Sequence, residues 1–318
     1  MRRLAVLLLV PLAAAGCKPT SDAADWPPAP GPKVVASFAP VRCFVANVAG
    51  DRAAVRAVMS TQGPHDYQPG RSDARLLASA DLFVINGLGL DNDIANKMQR
   101  LAGGDRLKLV KLAERLPESM LLEGECHHDH GDGGHTHSHG IDAHAWLGLD
   151  QAERMVETVR DELKAIDPAD AAGYDRRAAE YVARLRALKA DGLAMLKDKK
   201  DRQFVSFHGS LTYFADTFKL PQPEVIQDVA GHEPSPKELN AMVARCVAKK
   251  MRVIAVEPQY AASGSAQAVA NELKQRGLAD PKVIVIDPLE TCPEAEFSAD
   301  WYERKTRENL RALAAALD

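Results

Sequence analysis

Ten histidines are distributed unevenly over the 318 residues of the chain. Six of them, His127, His128, His130, His135, His137 and His139, crowd into one stretch with glycine, beside Cys126. Imidazole is the commonest metal ligand, and a tract this poor in apolar side chains has nothing to pack into a core. A neutral linker would use serine, glycine or lysine, so the composition points to metal binding. It would be weak and spread over several positions, because a flexible loop loses entropy when it wraps an ion. The remaining four, His65, His144, His208 and His232, are scattered. Taken one at a time, each is more readily an ordinary loop or core residue than a ligand. Two positions stand out by location. His208 directly follows the apolar run Phe204–Phe207, and Asp287 directly follows Val283–Ile286. In open α/β folds, ligands gather beyond the carboxyl ends of the strands. His65 lies in the turn-rich stretch Gly63–Pro69, and His144 lies in Asp142–Trp146, just after the crowded loop.

These residues need a scaffold, and the sequence alternates strand-like and helix-like stretches from Lys33 onward. Val34–Phe38, Leu82–Ile85, Leu107–Leu112, Phe204–Phe207, Val253–Val256 and Val283–Ile286 are short, apolar runs rich in β-branched residues. They read as strands covered on both faces. Helical patterns lie between them, such as Ala152, Met155, Val156, Val159, Leu163 and Ile166. Strands alternating with helices predict an α/β fold with mostly parallel sheets. Asp167-Pro168 ends one helix, and an apolar stripe through Tyr174, Ala178, Tyr181, Leu185 and Leu188 predicts another over 171–199. At 1.5 Å per residue it would be roughly 40 Å long, either a rod between two lobes or a surface helix of one domain. The stretch from Pro117 to Ala143 has no period, as expected of a functional or disordered loop.

The first residues read as an export signal. Arg2 and Arg3 precede an apolar run, Leu4–Ala15, then Gly16 and Cys17. The run is too short for a membrane span, which takes about 20 residues, and fits a secretory signal over 1–17. Ala-Ala-Gly-Cys resembles the lipobox of bacterial lipoproteins, which implies lipidation at Cys17. Residues 18–32 are polar and proline-rich and read as a flexible tether. A formal charge of −4 and a pI near 6.2 argue against a nucleic-acid partner. Apart from Cys17, four cysteines remain, and in an oxidising compartment their three pairings are open.

Several segments in order carry a family resemblance over nearly the whole mature length. They are Ser37–Pro40, Pro64-His65-Asp66-Tyr67-Gln68-Pro69, Asn86-Gly87-Leu88-Gly89-Leu90-Asp91 and Asp142-Ala143-His144-Ala145-Trp146-Leu147. Phe207–Phe214, Glu233–Pro236 and Ile286–Leu289 complete the set. Together they resemble the solute-binding proteins of zinc and manganese ABC importers, the cluster A-I group. Gln68 stands where the family usually has glutamate, and Ala143 where it usually has proline. The resemblance implies two α/β lobes, 33–170 and 200–318, joined by one long helix over 171–199, with the His-rich loop 126–139 in the first lobe. It implies metal ligands His65, His144, His208 and Asp287, and assigns His232 no ligand role. Cys246 and Cys292 lie where zinc-type members often carry a disulfide. That leaves Cys43 and Cys126 as a second pair, or Cys126 as a further metal donor.

Three imidazoles and one carboxylate suit tetrahedral Zn²⁺, whereas Mn²⁺ prefers oxygen donors. A hydrolase would keep one zinc position open for water, which Asp287 would close, and neither His-Glu-x-x-His nor Gly-x-Ser-x-Gly occurs. The expectation is therefore a carrier and no enzyme. It would be a monomer, lipid-anchored on the extracytoplasmic face of the cell membrane, handing Zn²⁺ to an ABC transporter permease. A manganese-binding homologue, a metal-binding adhesin or buffer, and a zinc hydrolase are the alternatives.

Overall fold

Short β-branched runs that are apolar on both faces can be stable only when helices cover both sides of the sheet they form. The computed structural model, which describes residues 26–103, 107–124, 140–227, 235–261 and 264–318, has that arrangement twice. In the first lobe the order is β1 (Lys33–Ala36), α1 (Ala39–Ala49), β2 (Ala54–Ala57), α2 (Arg71–Ala78), β3 (Leu82–Ile85), α3 (Asn92–Leu101), β4 (Lys108–Lys111) and α4 (Leu149–Ile166). The long helix α5 (Ala171–Leu196) follows. The second lobe runs β5 (Phe204–His208), α6 (Thr212–Thr217), β6 (Glu224–Gln227), α7 (Pro236–Ala248), β7 (Val253–Val256), α8 (Gly264–Gln275), β8 (Lys282–Val285) and α9 (Trp301–Ala316). Both sheets are parallel throughout, with orders β2-β1-β3-β4 and β6-β5-β7-β8. The six expected strands are present, but Val283 and Val285 are exposed, so β8 is covered on one face only, contrary to expectation. β2 and β6 escaped the periodicity because their apolar runs are too short, broken by Arg56 in β2 and confined to Val225-Ile226 between Glu224 and Gln227 in β6.

Three apolar clusters hold these layers. One packs β1 and β3 against α2 and α3, through Val35, Phe83, Ile85, Leu77 and Met98. A second packs β5 and β7 against α7 and α8, through Val205, Ile254, Val243 and Leu273. The third and largest lies between the sheets and takes side chains from both, including Val34 and Val84 from one and Phe204 and Ala255 from the other. Helix α5 runs through it with Tyr174, Tyr181, Leu185 and Leu188 fully buried. Its 26 residues span about 39 Å, so it is both the link and part of a core common to the two lobes. Helix α9 closes this core from the carboxyl end, with Trp301, Leu310 and Leu313 buried.

Residues 26–32, expected as the end of a free tether, lie against the first lobe. Trp26 packs against the apolar cluster that includes Leu76 and Leu77, and its indole N–H donates to Ser79 Oγ at 2.9 Å. No helix among the described residues is long and apolar enough to cross a membrane. The signal segment, Cys17, Cys126, the six crowded histidines and His232 lie outside the described residues.

The cysteine pairing departs from expectation. Cys246 and Cys292 are unbridged. Cys246 on α7 is buried in the outer cluster of the second lobe, while Cys292 belongs to the cluster between the sheets, so two different cores separate them. Cys43 on α1 has no disulfide partner among the described residues. Burial pushes the Cys246 and Cys292 thiols up to about 11.

Candidate metal centre

In a sheet of order 2-1-3-4, chain connections leave the two central strands in opposite directions. The crevice this opens beyond their carboxyl ends is the usual ligand site of α/β folds. The second lobe places His208 at the end of β5 and Glu257 directly after β7, so the two flank its crevice. The first lobe contributes His65 from the loop between β2 and α2, and His144 just before α4. Nitrogens of His65, His144 and His208 all lie within 4.8 Å of one another. The ring centroids form a nearly equilateral triangle with sides of 5.3, 5.4 and 5.6 Å. His144 and His208 are 0% and 3% exposed.

Two of the rings are oriented by carboxylates. Asp142 Oδ1 lies 2.7 Å from His144 Nδ1 and also accepts the His144 backbone N–H at 2.8 Å. Glu257 Oε1 lies 3.1 Å from His208 Nδ1 and accepts the Ser210 hydroxyl at 3.2 Å. With Nδ1 protonated and donating outward, the Nε2 lone pair of each ring is left for a metal, and the carboxylate raises its basicity. The segment Asn86–Asp91 supports this arrangement from behind. Asp91, fully buried, accepts the backbone N–H groups of Asn86 and Gly87 at 2.9 and 2.8 Å, and burial pushes its carboxyl up. The turn needs positive φ at Gly87 and Gly89, +93° and +85°, which glycine adopts freely. Its reward is the Asn86 side chain, which donates to the carbonyl of Ala143 at 2.9 Å, one residue before His144.

Asp287, the expected fourth donor, is engaged elsewhere. Its Oδ1 accepts the Leu289 N–H at 2.8 Å and its Oδ2 lies 3.1 Å from Lys305 Nζ. Its backbone N–H and C=O both bond the Asn309 side chain. The bond to Leu289 closes a turn in which Leu289 has φ +67°, a left-handed conformation that is costly for leucine. This turn delivers the next residue, Glu290, to the histidines. Glu290 Oε1 lies 3.2 Å from His65 Nε2 and 3.8 Å from His144 Nε2. Burial alone would raise the Glu290 carboxyl, but the His65 bond and the three imidazoles bring it below the usual carboxylate value. Gly63 leaves room for Glu290 in this position, since a Cβ there would stand 2.8 Å from Glu290 Oε2.

The donor set suits zinc. Tetrahedral Zn²⁺ with bonds of about 2.0–2.1 Å separates its ligand atoms by about 3.3 Å. The His65–Glu290 pair already has that spacing, and the three nitrogens need to draw in by about an ångström at most. Asp142, Glu257 and Glu290 were not singled out from the sequence as functional residues. Glu257 follows the run Val253–Val256 as His208 follows Phe204–Phe207, so the strand-end rule that flagged His208 would also have found it.

Residues 34–316 match the family model described as the periplasmic component A of the zinc-uptake complex. The zinc-binding lipoprotein AdcA of Streptococcus pneumoniae is 30% identical over 291 residues, 90% of this chain and 56% of that protein. The chain thus spans little more than half the length of that relative. The manganese-binding lipoprotein MntA of Halalkalibacterium halodurans is 26% identical over 242 residues, 75% of this chain and 74% of MntA. Among solved structures, that of ZnuA superposes with a TM-score of 0.75 at 24% identity, covering 91% of this chain and all of that one. FpvC of Pseudomonas aeruginosa in complex with Ni²⁺ gives 0.75 at 25% identity, covering 90% and 97%. With two four-stranded parallel sheets, a connecting helix and a match along nearly its whole length, this chain belongs to the family of periplasmic zinc-uptake components.

Proposed function

We propose that the protein is the extracytoplasmic zinc-binding component of an ABC-type importer, which captures Zn²⁺ between its lobes and delivers it to a membrane permease. The observation that carries this reading is the triangle of three imidazoles with a carboxylate against one side. The ligands are His65, His144 and His208, with Glu290 in place of Asp287 as the fourth. Asp142 and Glu257 orient two of the rings, and Asp287 sets the turn that presents Glu290. Three nitrogen donors favour zinc over manganese, even though MntA is described as manganese-binding. With Glu290 in the fourth position no open site is left for an activated water, which supports a carrier over a hydrolase.

Lipidation at Cys17 holds the protein at the membrane surface, and the histidines of 127–139 gather zinc at low affinity. Metal titration of the wild type beside His144→Ala tests the reading. The wild type takes up one tightly held zinc per chain above a weaker loop component, and the variant keeps only the weaker component. Retention of the tight zinc by His144→Ala would remove the proposed centre. Deleting 127–139 slows loading at scarce zinc and leaves the tight site, and loss of that site on deletion would refute the division of labour.

A further inference from the structure

The segment Pro288–Ala299 leaves β8 of the second lobe, yet beyond the turn bond of Leu289 to Asp287 it is tied at several points to the first. The Trp146 indole N–H donates to the Pro288 carbonyl at 2.8 Å, and the Cys292 N–H donates to the Ser60 carbonyl at 2.7 Å. Asn47 Nδ2 donates to the Ala299 carbonyl at 2.7 Å. Between these, Arg42 on α1 grips the segment twice. Its guanidinium forms two parallel bonds with the Glu294 carboxylate, at 2.5 and 2.7 Å, and stacks over the Phe297 ring 3.7 Å from its centroid. Arg42 itself is 8% exposed, and it holds the Glu294 carboxyl below its ordinary range. Apart from one 3-10 turn at Glu294–Glu296, the segment has no regular structure between β8 and α9. Contacts to the first lobe therefore fix its path. Glu290 lies on this path, four residues before Glu294, with its carboxylate on His65.

We infer that Arg42 is a positioning residue for the metal centre: by clamping the strap Pro288–Ala299 onto the first lobe it holds Glu290 against the bound ion and slows its release. A planar guanidinium suits this role because it engages a carboxylate through two bonds and a ring face at once, which lysine cannot do. The inference rests on the proposed centre, in which Glu290 is the fourth ligand.

The test is zinc dissociation from the full-length protein, followed by stopped-flow exchange into a chelator, for wild type, Arg42→Gln, Arg42→Lys, Glu294→Gln and Glu290→Gln. Double variants of Arg42→Gln and Glu294→Gln with Glu290→Gln complete the set. Arg42→Gln and Glu294→Gln are expected to speed dissociation about two- to fivefold, the scale of a partly exposed ion pair, with the association rate unchanged. Arg42→Lys falls between. In the Glu290→Gln background neither substitution has any further effect, because the residue it positions no longer ligates. A loss of packing alone would alter both rates and would act equally in either background. Glu294 is 73% exposed in its side chain, so Glu294→Gln keeps the test open if Arg42→Gln fails to fold. Wild-type dissociation in both single variants, or an undiminished effect in the Glu290→Gln background, overturns the inference. If Glu290→Gln alone leaves zinc binding unchanged, the fourth-ligand assignment is what fails, and the inference falls with it.

Discussion

The two sides of the proposed metal centre are held in different ways. His144 and His208 are almost fully buried, and each has its Nδ1 against a buried carboxylate. His65 and Glu290 sit on loops, are 15% and 8% exposed in their side chains, and lie 3.2 Å apart, Nε2 to Oε1. One side is set before the ion arrives. The other is a pair of donors that must exchange their mutual bond for bonds to the metal. Preorganised ligands gain affinity because their ordering cost is already met by folding, and a loop pair can let the ion in and out. A protein that captures an ion and hands it on, as proposed above, has to do both.

The largest test of this contrast is removal of one donor from each side. His208→Ala is expected to cost more than the roughly 100-fold that an outer-shell change reaches, and to abolish one-to-one zinc stoichiometry. His65→Ala is expected to cost less than His208→Ala, because Glu290 and the two anchored rings remain as a partial site. Isothermal titration with a competing chelator measures both. Equal losses would mean that the anchoring of His208 adds nothing.

Next in size come the carboxylates behind the rings. Asp142→Asn and Glu257→Gln keep the shape of each side chain but weaken the acceptor at Nδ1, and each should lower zinc affinity roughly 10–100-fold. Asp142→Asn is expected to lie at the upper end, since Asp142 is fully buried and also receives the His144 backbone N–H. Glu257 has Ser210 and Gln259 as additional donors, which keep its carboxylate in place. If Asp142→Asn binds zinc like the wild type, the buried side is held by packing alone.

Much of the scaffold was legible in the sequence because burial imposes a period or a composition. Leu82–Ile85 and Val253–Val256 are strands to the residue, and the stripe through Tyr174 and Leu188 lies on the helix it implied. β2 and β6 carry no such mark, since Arg56 breaks the run of one and Glu224 and Gln227 bound the other to two apolar residues. The site was less legible. His65, His144 and His208 are 79 and 64 residues apart, so no spacing rule joins them. Only the order of motifs did, together with the strand-end position of His208. Choosing between Asp287 and Glu290 needed the turn at Leu289. Two carboxylates three residues apart in one loop have the same chemistry, and the left-handed backbone at Leu289 and the charge of Lys305 direct them differently. The Cys246–Cys292 pairing was implied by family likeness, and the placement of the two thiols in separate cores contradicts it.

The smallest predicted effect probes the loop side without touching a donor. Gly63 adjoins Glu290 so closely that an alanine Cβ would stand 2.8 Å from Oε2 and 3.4 Å from Cβ of the glutamate. The atom in closest conflict is the end of a flexible side chain, so Gly63→Ala can be accommodated by swinging the carboxylate aside, and the fold should be retained. What changes is the position of the fourth donor. Zinc affinity is expected to fall by less than about tenfold, below the effect of the carboxylates behind His144 and His208, because the displaced carboxylate can follow the ion on its loop. The loss should appear as faster dissociation and should vanish in Glu290→Gln, where the position of that side chain no longer matters. A loss as large as that of Asp142→Asn, with the thermal midpoint of the metal-free protein unchanged, would show the loop side to be as rigid as the buried one. The ion would then have to leave by a movement of the lobes, against the core that they share.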